Sequence, residues 1–183
     1  MAALVAGLLV QLGDRPAWLL AILADRWRPA PVLIAAGLAL IAASAVAVAG
    51  GVLVAPLLSD RAARLFLALA LVVQGLGQFW RVRAPDRLSG WRLPVAATAF
   101  VGLFVLFVGD GLQFIVLAIA TQAALPWLAA AGATAGALAA IAPAAWLGEA
   151  RWTRLPLAPI RRGAAVPLLI VGLWMGLGTL GLV

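Results

Sequence analysis

The stretch Gln11-Leu12-Gly13-Asp14-Arg15-Pro16 sets two charges and a proline inside an apolar run that reaches from Ala2 to Ala24. Ninety-six positions later, Gly109-Asp110-Gly111-Leu112-Gln113 repeats part of it, again in the middle of a long apolar run. A charged side chain at the centre of a bilayer costs about 2.5–3.5 kcal/mol on insertion scales, so such residues turn toward a bundle interior and a partner. Two carboxylates placed in this way are the first sign of function. The rest of the chain says where they are held.

Around that stretch the composition is that of a membrane protein. Of 183 residues, 66% are hydrophobic and 10% charged, and mean hydropathy is +1.15; soluble domains are about 45–50% apolar and about 25% charged. The fold class expected is an all-α polytopic membrane protein, with room for six transmembrane helices of about 20 residues and short loops. Asp14 and Arg15 inside the first apolar run, with no basic segment before it, mark a first span and not a signal peptide. The net charge is +7 and every basic residue is Arg. These arginines gather at the ends of apolar runs, which points to orientation and lipid headgroups and away from nucleic acid. With no Cys, His or Tyr, thiolate and imidazole metal sites and most nucleophile–base pairs are excluded, so the chain is expected not to be an enzyme and to hold no cofactor.

The spans expected are about Ala2–Ala24, Ala30–Leu57, Ala63–Trp80, Leu93–Gln122, Trp127–Leu147 and Gly163–Val183. Residues 81–92, with Pro85, Asp86 and Gly90, form the central loop, so residues 1–80 and 93–183 each hold three spans. The loops after the first, third and fifth spans carry ten of the thirteen arginines, and the opposite side has only Arg61 and Arg64. That bias places both termini outside and the three basic loops, central loop included, in the cytoplasm of a cell that holds the protein in its inner membrane. Glu149, in the last of these loops, reads as a solvated charge, and Trp80, Trp91 and Trp152 as interface anchors.

With three spans in each half, the first and fourth spans run in opposite directions. Gly13-Asp14 then aligns with Gly109-Asp110, and Ala24 with Ala120 at the same offset. Ala35-Ala36-Gly37 aligns with Ala130-Ala131-Gly132 one residue out of step, and Gly75-Leu76 with Gly172-Leu173. The register suggests two inverted three-helix repeats, an arrangement that puts transport sites at the midplane between the repeats.

The chemistry follows from the residue types. Gln11 and Asp14 are spaced i,i+3, as are Asp110 and Gln113, so on unbroken helices each pair shares a face. A hard cation takes several such oxygens, with carbonyls and water completing its shell. Pro16 lacks the N–H that the Leu12 carbonyl would accept, which frees that carbonyl beside Asp14; Gly109 and Gly111 allow the fourth span to deform at the matching depth. Arg15 points to a different side of its helix from Asp14. It either neutralises an empty site or reaches Asp110 as part of a structural network. Gln74 and Gln78 read as interhelical hydrogen-bond partners.

These motifs resemble the transmembrane protein 165 / GDT-one family, whose six spans form two inverted halves, the first span of each carrying Glu-x-Gly-Asp-(Lys/Arg)-(Ser/Thr), often followed by Gln. Gly13, Asp14 and Arg15 match in the first half, and Gly109, Asp110 and Gln113 in the second. Gln11 and Phe107 stand where the family has its glutamates, Pro16 and Leu112 where it has hydroxyl residues, and Gly111 where it has the second basic residue. The motif charge falls from −2 in the family pattern to −1 here, and two proton-titrating groups are lost. The resemblance implies a secondary transporter of divalent cations, Mn2+ or Ca2+, exchanged for protons. Asp14 and Asp110 would be the metal ligands, Gln11 and Gln113 neutral oxygen donors, and Gly13, Arg15 and Gly109 supporting residues. The partners implied are the metal cation as substrate and the lipid bilayer, with a homo-oligomer allowed. Two alternatives stay open: export of another small solute on the same fold, and a non-transporting membrane subunit whose site has decayed.

Overall fold

The structure, a computed structural model, describes residues 1–182; the end of the expected sixth span, Val183, lies outside them. Among the described residues there are eight α-helices: α1 (Ala2–Gln11), α2 (Arg15–Arg26), α3 (Pro29–Val54), α4 (Asp60–Gly77), α5 (Val95–Val108), α6 (Gly111–Ala120), α7 (Pro126–Trp152) and α8 (Leu157–Leu180). No strand occurs among the described residues.

The two motif stretches are where apolar runs break. Between α1 and α2 the axis turns by 65°, and between α5 and α6 by 64°. Gly13 takes φ +73°, a left-handed conformation that side chains with a Cβ resist. Asp14 then caps α2, its Oδ1 accepting from the Arg15 N–H at 2.8 Å. Pro16 falls in the first turn of α2, where its missing N–H leaves no bond unmade. Asp110 occupies the corresponding cap of α6, with φ −88° and ψ 147° against −91° and 177° at Asp14.

Among the described residues, three helices are long and apolar enough to cross a membrane: α3 with the short 3-10 turn that follows it to Leu57, then α7 and α8. Each bent pair, α1–α2 and α5–α6, qualifies when taken as one span, which gives up to five. At 26 residues α3 is about 39 Å long, more than the hydrocarbon core requires. Its exposed Ile34, Leu38 and Ile41 form an apolar stripe, and so do Val166, Ile170 and Trp174 on α8. These are faces for lipid, and the molecule is a multi-pass membrane protein. α4 is shorter, at 18 residues, and carries Asp60, Arg61 and Arg64 in its first two turns. Ser59 caps it, Oγ accepting from the Ala62 N–H at 3.2 Å. Ser59→Ala is expected to cost about 1 kcal/mol and to speed amide exchange in the first turn of α4 only, read by hydrogen–deuterium exchange.

Packing crosses the midpoint of the chain. α1 and α2 lie along α7, α5 and α6 lie along α3, and α4 lies along α8. The contacts are close because small residues line them. Gly7 faces the backbone at Ala133, Gly136 faces the backbone of Leu4, and Gly51 faces the Leu117 carbonyl. Thr134 of α7 donates its hydroxyl to Ser44 of α3 at 3.4 Å, joining the two groups in the interior.

The cytoplasmic-loop expectations change in detail. α8 starts at Leu157 and not near Gly163, so Arg161 and Arg162 are helical. Glu149 is not merely solvated: it pairs with Arg87 of the central loop at 2.6 Å, and its N–H donates to Asp25 Oδ2 at 2.7 Å. Gly148 makes this possible by turning the end of α7 with φ +72°, hard against the Asp25 carboxylate. Of the tryptophans read as interface anchors, Trp80 and Trp91 are exposed, whereas Trp152, just past that turn, is buried. The central loop is tethered too. Leu88 is buried against Gly102 of α5, and its carbonyl accepts from Arg26 at 3.4 Å.

Candidate cation-binding site

Asp14 and Asp110, one from each helix break, line the same cavity of about 360 Å3. Each begins a helix, so the positive N-terminal ends of α2 and α6 meet at the two carboxylates. The cavity wall continues through Pro16, Gln74 and Gly77 to Trp80 and Arg81 just beyond the end of α4. Asp110 also borders a second cavity of about 540 Å3, between α3, α4 and α6, whose lining is otherwise almost wholly apolar. It is the charged group that stands between the two spaces.

The breaks change how the glutamines are used. Gln11 ends α1 while Asp14 caps α2, so the two do not share one helix face. Instead the Gln11 amide Nε2 donates to Asp110 Oδ2 across the two halves of the chain. Gln11 is fully buried, and its Oε1 has no hydrogen-bond partner. Gln113 follows Asp110 by one turn and borders the second cavity; it is buried and neither atom of its amide is bonded. Buried amide groups without partners cost about 1–3 kcal/mol each unless something supplies the missing contact. Gln113 borders the second cavity beside Asp110, whereas Gln11 is bonded to Asp110 and lines neither of the two cavities.

Arg15 is exposed and lines the Asp14–Asp110 cavity, its side chain in no ion pair among the described residues. Gly13 is closely packed, facing Arg161 and Leu157 of α8. Gly109 has more room, a Cβ there meeting only carbonyls of α5 at 3.5 Å and beyond; the close approach in the second half is at Gly111, which faces the Gln74 amide. Among the described residues no three His, Cys, Asp or Glu side chains gather as a metal cluster. A cation here would depend on two carboxylates plus amide and carbonyl oxygens, the hard-donor set suited to Mn2+, Ca2+ or Mg2+.

Compared with known proteins, the chain matches the divalent cation/proton antiporter GDT1 family over residues 1–86 and 95–181. It belongs to that family. The match omits only the end of the central loop and the chain terminus, so both helix breaks fall within it. The chain is also 33% identical over 173 residues to a Vibrio cholerae serotype O1 protein named "Putative manganese exporter", covering 90% of this chain and 84% of that one. No solved structure matches it. As a family member it is a divalent cation/proton antiporter-type transporter, and the family is one of transporters and not of enzymes.

Two polar residues at the site had no place in the sequence reading of its ligands. Arg161 of α8 donates through Nε to Gln78 Oε1 at 2.9 Å and through Nη1 to the Trp80 carbonyl at 2.8 Å. Gln78 in turn donates through Nε2 to the Val10 carbonyl at 3.0 Å, in the last turn of α1. The signal that could have found Arg161 was Pro156 and Pro159, which fit the start of a helix ahead of the arginine and so place it within α8.

Proposed function

We propose that the chain exchanges Mn2+ for protons across the inner membrane, with Asp14 and Asp110 as the charged metal ligands and Gln11 and Gln113 as neutral oxygen donors. The observation that carries this reading is the single cavity reached by both aspartates from their separate helix breaks. Gly13 lets α8 approach the first break, Gly109 loosens the second, and Arg15 adds positive charge at the rim. No cofactor is needed; the cation is the substrate. The choice of Mn2+ over Ca2+ rests on the printed name of the Vibrio cholerae relative.

The architecture proposed is six spans in two inverted repeats, residues 1–80 and 93–183, joined by the cytoplasmic loop 81–92, with both termini outside. Support comes from the equal bends of the first and fourth spans and from the pairing of α1–α2 with α7 and of α5–α6 with α3. A two-fold relation that exchanges the halves maps the first pairing on the second and leaves α4 beside α8. Alternating access then opens the aspartate pair first to one side and then to the other.

Vesicles containing the purified protein test the transport reading. Mn2+ uptake driven by an imposed proton gradient, abolished when the gradient collapses, is the expected result; equal rates with and without the gradient would remove the proton from the scheme. Running Ca2+ in parallel decides the cargo. Orientation can be read by thiol labelling, because the chain has no cysteine of its own. A single cysteine at Ser89 is expected to react only with reagent on the cytoplasmic side, and labelling from outside would reverse the topology.

A further inference from the structure

Arg161 is 7% exposed, and its aliphatic stem lies against Gly13: a Cβ on Gly13 would stand 3.3 Å from Arg161 Cγ. Both of its hydrogen-bond acceptors, Gln78 Oε1 and the Trp80 carbonyl, are neutral. Among the described residues, no carboxylate is in ion-pair contact with it. A guanidinium held this way is costly unless a negative field offsets the lost hydration. That field is at hand, because Asp14 and Asp110 line the cavity that Arg161 also lines. The same side chain forms part of the wall of an adjoining cavity of about 340 Å3, with Trp18, Phe79, Leu157 and Arg162.

We propose that Arg161 is a tethered counter-cation of the transport site, balancing Asp14 and Asp110 when no metal is present and setting how tightly a divalent ion binds. The inference rests on the reading of those two aspartates as ligands. Arginine keeps its proton at all accessible pH values, so its repulsion of the metal is not relieved by titration. Relief comes from moving the side chain, and the adjoining cavity offers the room. The movement would not be silent elsewhere. Because arginine only donates, Gln78 presents its oxygen to Arg161 and therefore its NH2 to the Val10 carbonyl. Withdrawal of Arg161 would release that orientation at the end of α1, beside the first break.

The test is equilibrium binding of Mn2+ alone to the purified full chain in lipid nanodiscs. Arg161→Gln is expected to tighten binding by about tenfold or more, since Arg161 lines the same cavity as the two aspartates and its unit charge opposes a divalent ion held there. Arg161→Lys, which keeps the charge, should stay within about threefold of the parent. Gln78→Glu is a second route that leaves Arg161 in place; by pairing it away from the aspartates, this variant should also tighten binding. Asp14→Asn and Asp110→Asn are measured alongside. If these two bind like the parent, the ligand assignment has failed. If they lose binding while Arg161→Gln and Gln78→Glu bind no tighter than the parent, the counter-cation role alone is overturned.

Discussion

Asp110→Asn is expected to reduce Mn2+ transport by about 100-fold, with helix content and thermal stability close to those of the parent. On the proposed reading, the magnitude follows from removing one of two charges that would face the cation, with no third carboxylate gathered there among the described residues: truncating one partner of a buried charged pair costs about 2–5 kcal/mol. Asp110 is the more sensitive of the pair because it borders both cavities and holds the Gln11 amide, whereas Asp14 caps α2 with its own carboxylate. An asparagine can still accept from Gln11, so the fold has little reason to change. Initial rates in vesicles, with circular dichroism on the same preparations, check both halves of the expectation. A variant that transports within threefold of the parent would remove Asp110 from the site.

Gly136→Val should have the largest effect on stability. A Cβ at position 136 would fall on the Leu4 carbonyl, a backbone atom of a neighbouring helix and not the flexible end of a side chain. α1 and α7 would have to separate along their whole contact, and the cost expected is about 3 kcal/mol or more. Gly163→Val is the control, since nothing lies within 4 Å of a Cβ there. Unfolding temperatures in detergent should drop for the first variant and hold for the second. Equal behaviour would mean that α1 and α7 are not held at this distance.

Much of this was legible in the sequence because the bilayer imposes few solutions. Apolar run length placed the first four runs to within about three residues but stopped five short of the end of α7 and six past the start of α8, and Pro16, Gly109 and Gly111 marked where the two runs could deform. Gln11 and Asp14 do not share the face that their i,i+3 spacing implies, because the helix is not continuous between them. Gly13 at φ +73° ends α1 at the glutamine, which then turns to Asp110 in the other half of the chain. Local spacing cannot show such a partner, which depends on how the halves pack. Arg161 was hidden for a related reason: as part of a basic run it looked like loop charge, and only the earlier start of α8 brings it beneath the break. Gln78, read as an interhelical partner, is one, linking α8 through Arg161 to α1.

The crossing of the packing bears on how the molecule can be assembled. The bent pair α1–α2 buries itself on α7, from the second half of the chain, and the bent pair α5–α6 on α3, from the first. Neither half therefore carries within itself the surface that its own broken helix needs. Cut at the central loop, the two pieces would be obligate partners, each unfinished until the other is inserted. During synthesis the first aspartate must then wait, half-housed, for a helix that is made more than a hundred residues later.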